Sequence, residues 1–561
     1  GLFSLTNPDE VFYTQTAKEM VSHHQWLTPI LFDKPQFEKP ILLYWLLRVV
    51  FFVFGVTSFA ARFFPAVFAS AGVLGIYFLG LIGFKDEKKA FISSLVLMSC
   101  GLYIGLARTV FTDMIFSVFI LFSLLAFFWG YSLRPRKGAG IVLFFLFAAL
   151  AVLTKGPLGI LIPLVVVMAF LLFTRETRFL FCRSFLWGIL VFGLLSFPWY
   201  MVMIKKYGAV FIGEFFYNDH LRRFLEAEHI ANDKWYFYPL SIIGCFFPWS
   251  IFILPALGYI FKNKLKSSAR CNKSSTVHKR VWGRPSPTLG GCSANEVSAE
   301  GGLAPLAEVR CDSSKLIIQR SSPVYIFILC WIAAVLIIFQ SAHSKLVSYI
   351  FPLFPALALV IGDFITDRIS KKESSRGNKV MFFLTWGILS LLLIVIIAAV
   401  FKFAGLISSR LPVFMFIAVF IAWLSVMLVF ILKREFLKSA YMLSSLIPVF
   451  FIIVPFLKND IEPYISSREV CVYLKKNYPG EGIIFVSTSY ARGVRYYAGN
   501  EVAAYGRNCF SPHPILFLNT DEEVADFLRQ QTVTYCVIKR RQVADIQRVA
   551  KSYRFNITVL K

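Results

Sequence analysis

The sequence predicts an all-α polytopic membrane protein that carries a small C-terminal α/β domain. Three observations lead there. Of 561 residues, 57% are hydrophobic and 17% aromatic, with 61 Phe, against about 45–50% apolar in soluble domains. Apolar runs long enough to cross roughly 30 Å of hydrocarbon recur along the chain. After residue 457 the pattern changes to short apolar strands and an amphipathic helix.

The runs lie at about 58–83, 89–107, 111–132, 139–153, 157–174, 180–204, 237–261, 323–340, 346–366, 380–401, 411–432 and 439–457. That makes about twelve spans, or thirteen with an N-terminal span inferred to be missing before Gly1. Residues 41–54 are apolar too, but the stretch is brief and holds Arg48, which predicts a helix lying at the interface.

Lys and Arg number 3, 3, 3, 5 and 3 in the connections near 84–89, 133–138, 175–183, 367–379 and 433–438. The alternate connections near 107–110, 154–156, 341–345 and 402–410 carry only 1, 1, 1 and 2. The basic set belongs inside. Residues 1–56, the outer loop 205–236 and the domain 458–561 then share the extracytoplasmic face, joined by membrane helices over 57–261 and 323–457. Residues 262–322, rich in Ser, Gly, Lys and Arg, read as a disordered cytoplasmic insert. In the tail, 482–486 and 534–538 read as buried strands and 521–528 as a capped helix.

The net charge of +26 does not point to nucleic acid, because the basic residues are spread through the short loops as topology signals. The ten cysteines show no metal-ligand spacing. Cys471, Cys509 and Cys536 fall in the tail, where one disulfide or free thiols are equally expected. Neither a Walker A loop nor a Gly-rich strand-to-helix turn is present.

Polar residues gather in connections assigned to one face. Asp9-Glu10 and Glu38-Lys39 lie in the first loop, Arg108 and Asp113 at a span junction, and Lys155 in a turn. His220, Arg222, Arg223 and His229 lie in the 205–236 loop, and Lys345 and Tyr349 flank another turn. Ionisable groups at a membrane face are costly to place and mark chemistry or binding. This mixture suits group transfer from a phosphorylated lipid. A carboxylate such as Asp9 takes a proton from an attacking hydroxyl, and Lys39, Arg222 and Lys345 neutralise a leaving phosphate. Tyr13, Tyr44, Trp45 and Trp235 are candidates to stack on a sugar. Blander readings stand beside these: Asp9 as a helix cap, Glu38-Lys39 as a surface ion pair, Asp113 paired with Arg108, and the histidines as hydrogen-bonders in a loop.

The order F-E-K-P-I-L-L-Y-W at 37–45, A-R-T-V-F-T-D-M at 107–114, L-T-K-G-P at 153–157, H-L-R-R-F at 220–224 and S-K-L-V-S-Y at 344–349 resembles the polyprenyl-phosphate-dependent glycosyltransferases of GT-C type. The nearest branch is that of the 4-amino-4-deoxy-L-arabinose lipid A transferases and the dolichyl-phosphate-mannose protein mannosyltransferases. The resemblance implies inverting sugar transfer from a polyprenyl-phosphate-linked sugar to a lipid or protein acceptor, at the outer face of the inner membrane. It assigns the essential acid to Asp9, with Glu10 and Asp113 beside it. Lys39, Arg222, Lys345 and Tyr349 match the family's donor-phosphate residues, and Glu38 a residue linked to a divalent metal in some members; Arg108 joins the phosphate set and His220 the metal set from the polar pattern alone. Two other classes compete. A transporter or flippase is built from repeats with midplane sites, and no repeat is evident. A structural scaffold has no use for such a convergent polar set.

Overall fold

The computed structural model describes residues 3–180, 182–227, 230–265, 323–369, 376–402, 410–478, 482–506, 516–531, 533–539, 542–556 and 558. The chain opens with α1 (Asp9–Ser22), a hairpin of β1 (Ile30–Leu31) and β2 (Lys34–Pro35), and α2 (Leu42–Phe54). Helices α3 (Ser58–Phe84), α4 (Glu87–Met98), α5 (Gly101–Ala107), α6 (Thr112–Ser132), α7 (Lys137–Lys155), α8 (Leu158–Thr174) and α9 (Arg183–Phe211) follow. After residue 322 the bundle resumes with Pro323–Gln340, Phe354–Phe364, Arg376–Lys402 and Arg410–Leu432.

Eight helical segments among the described residues are long and apolar enough to cross a membrane. The apolar run at 89–107 is instead a bent pair, α4 and α5, turning by 67°. The runs at 157–174 and 439–457 give shorter apolar helices. The run at 237–261 breaks into Phe237–Cys245, a 3-10 turn at Ser250–Phe252 and Ile253–Tyr259. Pro248 lies in that break and removes a backbone donor there, while Pro239 and Pro255 fall in the first turns of the two helices, where a proline is tolerated. The expected loop at 205–236 is largely helical: α9 continues, through a break at Gly208 (φ +55°), into a π-helical stretch Ile212–Arg222. The predicted insert lies outside the described residues from 266 to 322, as do His229 and Cys509.

α6 and the segment Val347–Arg368 are the most enclosed, 83% and 94% buried, and form the centre of the bundle. Small residues let backbones approach there: a Cβ on Gly130 of α6 would lie 3.0 Å from the Gly140 Cα of α7. The helix expected at the interface, α2, is present, and Arg48 on it is buried under the Trp26 ring, donating to the Met20 and Gln25 carbonyls.

The C-terminal segment forms a four-stranded parallel sheet in the order β5 (Leu516–Leu518), β4 (Val502–Tyr505), β3 (Ile484–Ser487), β6 (Cys536–Val537). The helix Asp521–Arg529 begins with a capping box between Thr520 and Glu523. Cys471 is buried and Cys536 exposed, and both are free thiols.

This segment is fastened to the chain's first residues. The Leu5 amide donates to Tyr497 Oη at 2.8 Å, the Asn7 amide to the Ile465 carbonyl at 3.0 Å, and Lys18 Nζ to the Tyr496 carbonyl at 3.3 Å. Gly493, on the helix Ala491–Ala498, allows the close approach: a Cβ there would sit 2.1 Å from Asn7 Oδ1 and 2.3 Å from Ser467 Oγ. Gly493→Ala is expected to cost about 1–3 kcal/mol through this overlap. A lower thermal midpoint in detergent, with earlier protease cleavage of the C-terminal segment, is the measurement that checks it.

Candidate active site

The site is built around the start of α1. Asp9 and Glu10 occupy its first turn, where the helix dipole favours acids, yet the two do different things. Glu10 is fully buried. It receives Arg62 Nε at 2.8 Å and Arg62 Nη2 at 2.5 Å, the Thr6 amide and hydroxyl at 2.9 Å each, and the Val110 amide at 3.0 Å. Every lone pair that a carboxylate offers there is engaged, so Glu10 holds structure rather than standing ready as a second base. Asp9 makes no side-chain cap, since the residue at the cap position is Pro8. Its side chain is exposed, but protein surrounds it closely enough that desolvation raises its pKa above the ordinary aspartate value. Arg492 opposes that rise, and Glu38 and Asp113 add to it.

The hairpin β1–β2 sets the position of Glu38-Lys39. Its two turn residues, Phe32 and Asp33, have φ of 53° and 62°, as a tight primed turn requires. The strand leads to Gln36, whose Nε2 donates to Tyr44 Oη at 2.7 Å while its Oε1 accepts from the Glu38 amide at 3.1 Å. Pro40 then ends the segment before α2. Lys39 Nζ reaches Asp219 Oδ2 at 2.7 Å, and Arg223 Nη1 lies 2.7 Å from the other oxygen.

Lys155 is the last residue of α7, where a cation suits the helix dipole. Gly156 follows with φ +95°, and a Cβ there would lie 2.3 Å from His220 Nε2, so only glycine allows this turn. The Lys155 ammonium contacts Asp113 Oδ1 at 2.5 Å and lies 4.8 Å from the centre of the Tyr349 ring. Lys345, buried, contacts Asp233 Oδ1 at 2.5 Å, and His343 Nδ1 contacts Oδ2 at 2.8 Å. The hydrogen bonds from Lys345 and then His343 hold the Asp233 carboxyl below its ordinary pKa. The Ser344 amide donates to the Arg223 carbonyl at 3.1 Å, which ties this pair to the Lys39–Asp219 pair.

Several sequence expectations change against this geometry. Asp113 pairs with Lys155 and not with Arg108, whose exposed guanidinium lies 5.3 Å from the Phe451 ring. Arg222 engages Glu226 at the surface, at 3.2 Å, while its neighbour Arg223 is the one turned to Asp219. The His220 Nδ1 donates to the Phe215 carbonyl at 2.7 Å, and Nε2 lies 3.3 Å from the Lys155 carbonyl. No three His, Cys, Asp or Glu side chains gather to hold a metal among the described residues. Glu38 and His220 belong to no such group among those residues. Of the aromatics, Tyr13 and Tyr44 are buried 6.4 Å apart, Trp45 Nε1 donates to the Trp26 carbonyl at 2.6 Å, and Trp235 is 78% exposed.

Asp219, Asp233 and Arg492 were not picked out from the sequence. Asp219 had a signal, its i,i+4 spacing to Arg223. Asp233 and Arg492 had none, because distant segments create their contacts.

A bundle of apolar spans with ionisable groups collected at one end defines a polytopic membrane protein with a polar site at its edge. The family described as Dolichyl-phosphate-mannose-protein mannosyltransferase matches residues 38–201. The chain is 25% identical over 383 residues to "Undecaprenyl phosphate-alpha-4-amino-4-deoxy-L-arabinose arabinosyl transferase 2" of Proteus mirabilis, covering 67% of this chain and 58% of that protein. It is 26% identical over 368 residues to the corresponding transferase of Photorhabdus laumondii, covering 65% and 56%. The chain thus spans under two thirds of the length of these curated relatives. In structure it is similar to ArnT from Cupriavidus metallidurans in the apo state, with TM-score 0.69, 17% identity and coverage of 98% and 91%. The same protein bound to undecaprenyl phosphate gives TM-score 0.67, 16% identity and coverage of 100% and 93%. Together these matches make the chain similar in sequence to arabinosyl transferases and, over residues 38–201, to the protein mannosyltransferase family, and similar in fold to ArnT.

The Asp113–Lys155 pair yields a stability test. Lys155→Gln leaves the buried Asp113 carboxylate without its cation and is expected to cost roughly 3–5 kcal/mol. Adding Asp113→Asn removes the unpaired charge and recovers part of the loss, read as a double-mutant cycle on thermal unfolding in detergent.

Proposed function

We propose that the protein transfers one sugar from a polyprenyl-phosphate donor to a lipid A-like or protein acceptor, at the outer face of the inner membrane, with Asp9 as the base. The carrying observation is the convergence of the Asp9, Glu38 and Asp113 carboxylates beside the Lys39–Asp219 and Lys155–Asp113 pairs. The names of the relatives supply the donor class.

In this reading the acceptor nucleophile attacks the anomeric carbon as its proton passes to Asp9, and the bond to the phosphate oxygen breaks. The pair Asp219–Arg223 holds Lys39, and Asp233–His343 holds Lys345, so that both ammonium groups are placed before the donor arrives. They meet the charge growing on the departing phosphate. Asp113 positions Lys155 rather than abstracting a proton, and Glu10 positions α1 through Arg62. Desolvation makes Asp9 a stronger base than an ordinary aspartate. A lipid flippase is disfavoured by the placement of Asp9 at the start of a helix outside the spans.

Asp9→Asn is expected to lower transfer by roughly 10²-fold or more with unchanged expression and thermal midpoint. The assay incubates membranes with labelled undecaprenyl-phosphate-linked sugars and follows label into lipid and protein; full activity of the variant would sink the assignment. Because the base must be ionised and its pKa is raised, the acid limb of kcat should lie above the ordinary aspartate range. Lys39→Gln should raise the donor KM while leaving the midpoint of that limb in place.

A further inference from the structure

The C-terminal segment reaches the site through one helix. Ala491–Ala498 packs on α1, held at Leu5 and Lys18 by the bonds described above, and further by Arg495, which contacts Asp33 and lies 3.9 Å from Glu19. Arg492, second residue of this helix, places its guanidinium 4.5 Å from the centre of the Phe12 ring. Phe12 follows Asp9 by three positions on α1, and residues so spaced are neighbours on one helix face. The ring therefore carries the guanidinium at the first turns of α1, where Asp9 stands three residues earlier.

We propose that Arg492 is a positioning residue of the active site, a cation that the C-terminal segment supplies on the Phe12 ring to orient the Asp9 carboxylate for proton transfer. The proposal rests on the reading of Asp9 as base.

The charges around Asp9 come from every element packed on α1. Glu38 precedes α2, and Asp113 begins α6 with its charge countered by Lys155. Arg62 on α3 is taken up by Glu10, and Lys39 by Asp219. Tyr13 is on α1 itself and Tyr44 on α2, both neutral at working pH. Lys18 and Arg495 lie further along α1, at Tyr496, Glu19 and Asp33. Of the groups acting on Asp9, Arg492 is the one that favours the charged form, against desolvation, Glu38 and Asp113. The C-terminal segment thereby contributes to the chemistry as well as to the packing.

The test follows kcat against pH for the full-length protein in proteoliposomes with an undecaprenyl-phosphate-linked sugar. Arg492→Gln should move the acid limb upward by about one pH unit, the low end of what a neighbouring charge supplies. Its rate should fall about tenfold on the acid side, recover toward the parent rate at higher pH, and leave donor KM unchanged. Arg492→Lys keeps the charge and should return the limb most of the way. Tyr497→Phe removes a docking bond without a charge; it should lower the thermal midpoint and leave the limb where it was. A limb in Arg492→Gln that coincides with the parent, or one that moves equally in Tyr497→Phe, overturns the proposal. If Asp9→Asn is inactive while the Arg492→Gln limb stays still, the inference about Arg492 fails alone. A fully active Asp9→Asn overturns the base assignment and this inference together.

Discussion

The carboxylate of Glu10 is the contact on which the site depends. It lies buried between α1 and α3, takes two bonds from Arg62 and accepts from Thr6 and Val110 as well. Arg62 in turn donates to the Phe3 and Ser4 carbonyls, at 2.7 and 3.0 Å. One ion pair thus fixes the entry segment, the first turn of α1, a span and the junction before α6. A buried pair of this kind adds little net stability over an apolar replacement, but losing one partner strands a charge. Its value lies in register. With Glu10 held, the first turn of α1, Asp9 included, is fixed in register.

The same logic repeats outward. Each site lysine has its own carboxylate: Lys39 with Asp219, Lys155 with Asp113, Lys345 with Asp233. The backbone links them, since Ser344 bonds to the Arg223 carbonyl and His220 reaches the carbonyl of Lys155. Residues as many as 180 positions apart are therefore held by short bonds between loops and helix ends, on a rigid apolar bundle. Precise placement of charge at a membrane edge calls for such a frame, because long lysine side chains would otherwise extend to water.

Much of this was legible in the sequence, for physical reasons. The cost of placing charges near hydrocarbon makes Asp9, Lys39, Asp113, Lys155 and Lys345 stand out in an apolar chain, and the last four lie in the connected network. Their partners were not legible. Asp113 was expected beside Arg108, five residues away, but α6 and α7 run back along each other and bring Lys155 to it instead. Arg222 and Arg223 differ by one position, which on a helix is a rotation of about 100°, and only packing decides which one faces Asp219. The helix ending in the 205–236 region escaped notice because its polar composition resembles a loop, while Gly208 breaks its period. Proline spacing could have divided the 237–261 run, which composition alone read as a span. Arg492 could not be found from sequence, because it acquires meaning from a helix that docks nearly five hundred residues from Asp9.

The mutual pairing of lysines and carboxylates bears on which anions the site will hold. An open ring of cations would attract any phosphate, dissolved or lipid-borne. Here an arriving phosphate must exchange with a carboxylate already seated, gaining one ionic bond as another is given up. A dissolved ion brings charge alone to that exchange and competes poorly. A phosphate on a polyprenyl chain is confined to the bilayer beside the site, so its local concentration is high without any tighter contact. Under the proposed function, discrimination resides in tethering: the head group decides where the molecule stops, and the membrane decides which molecules have the chance.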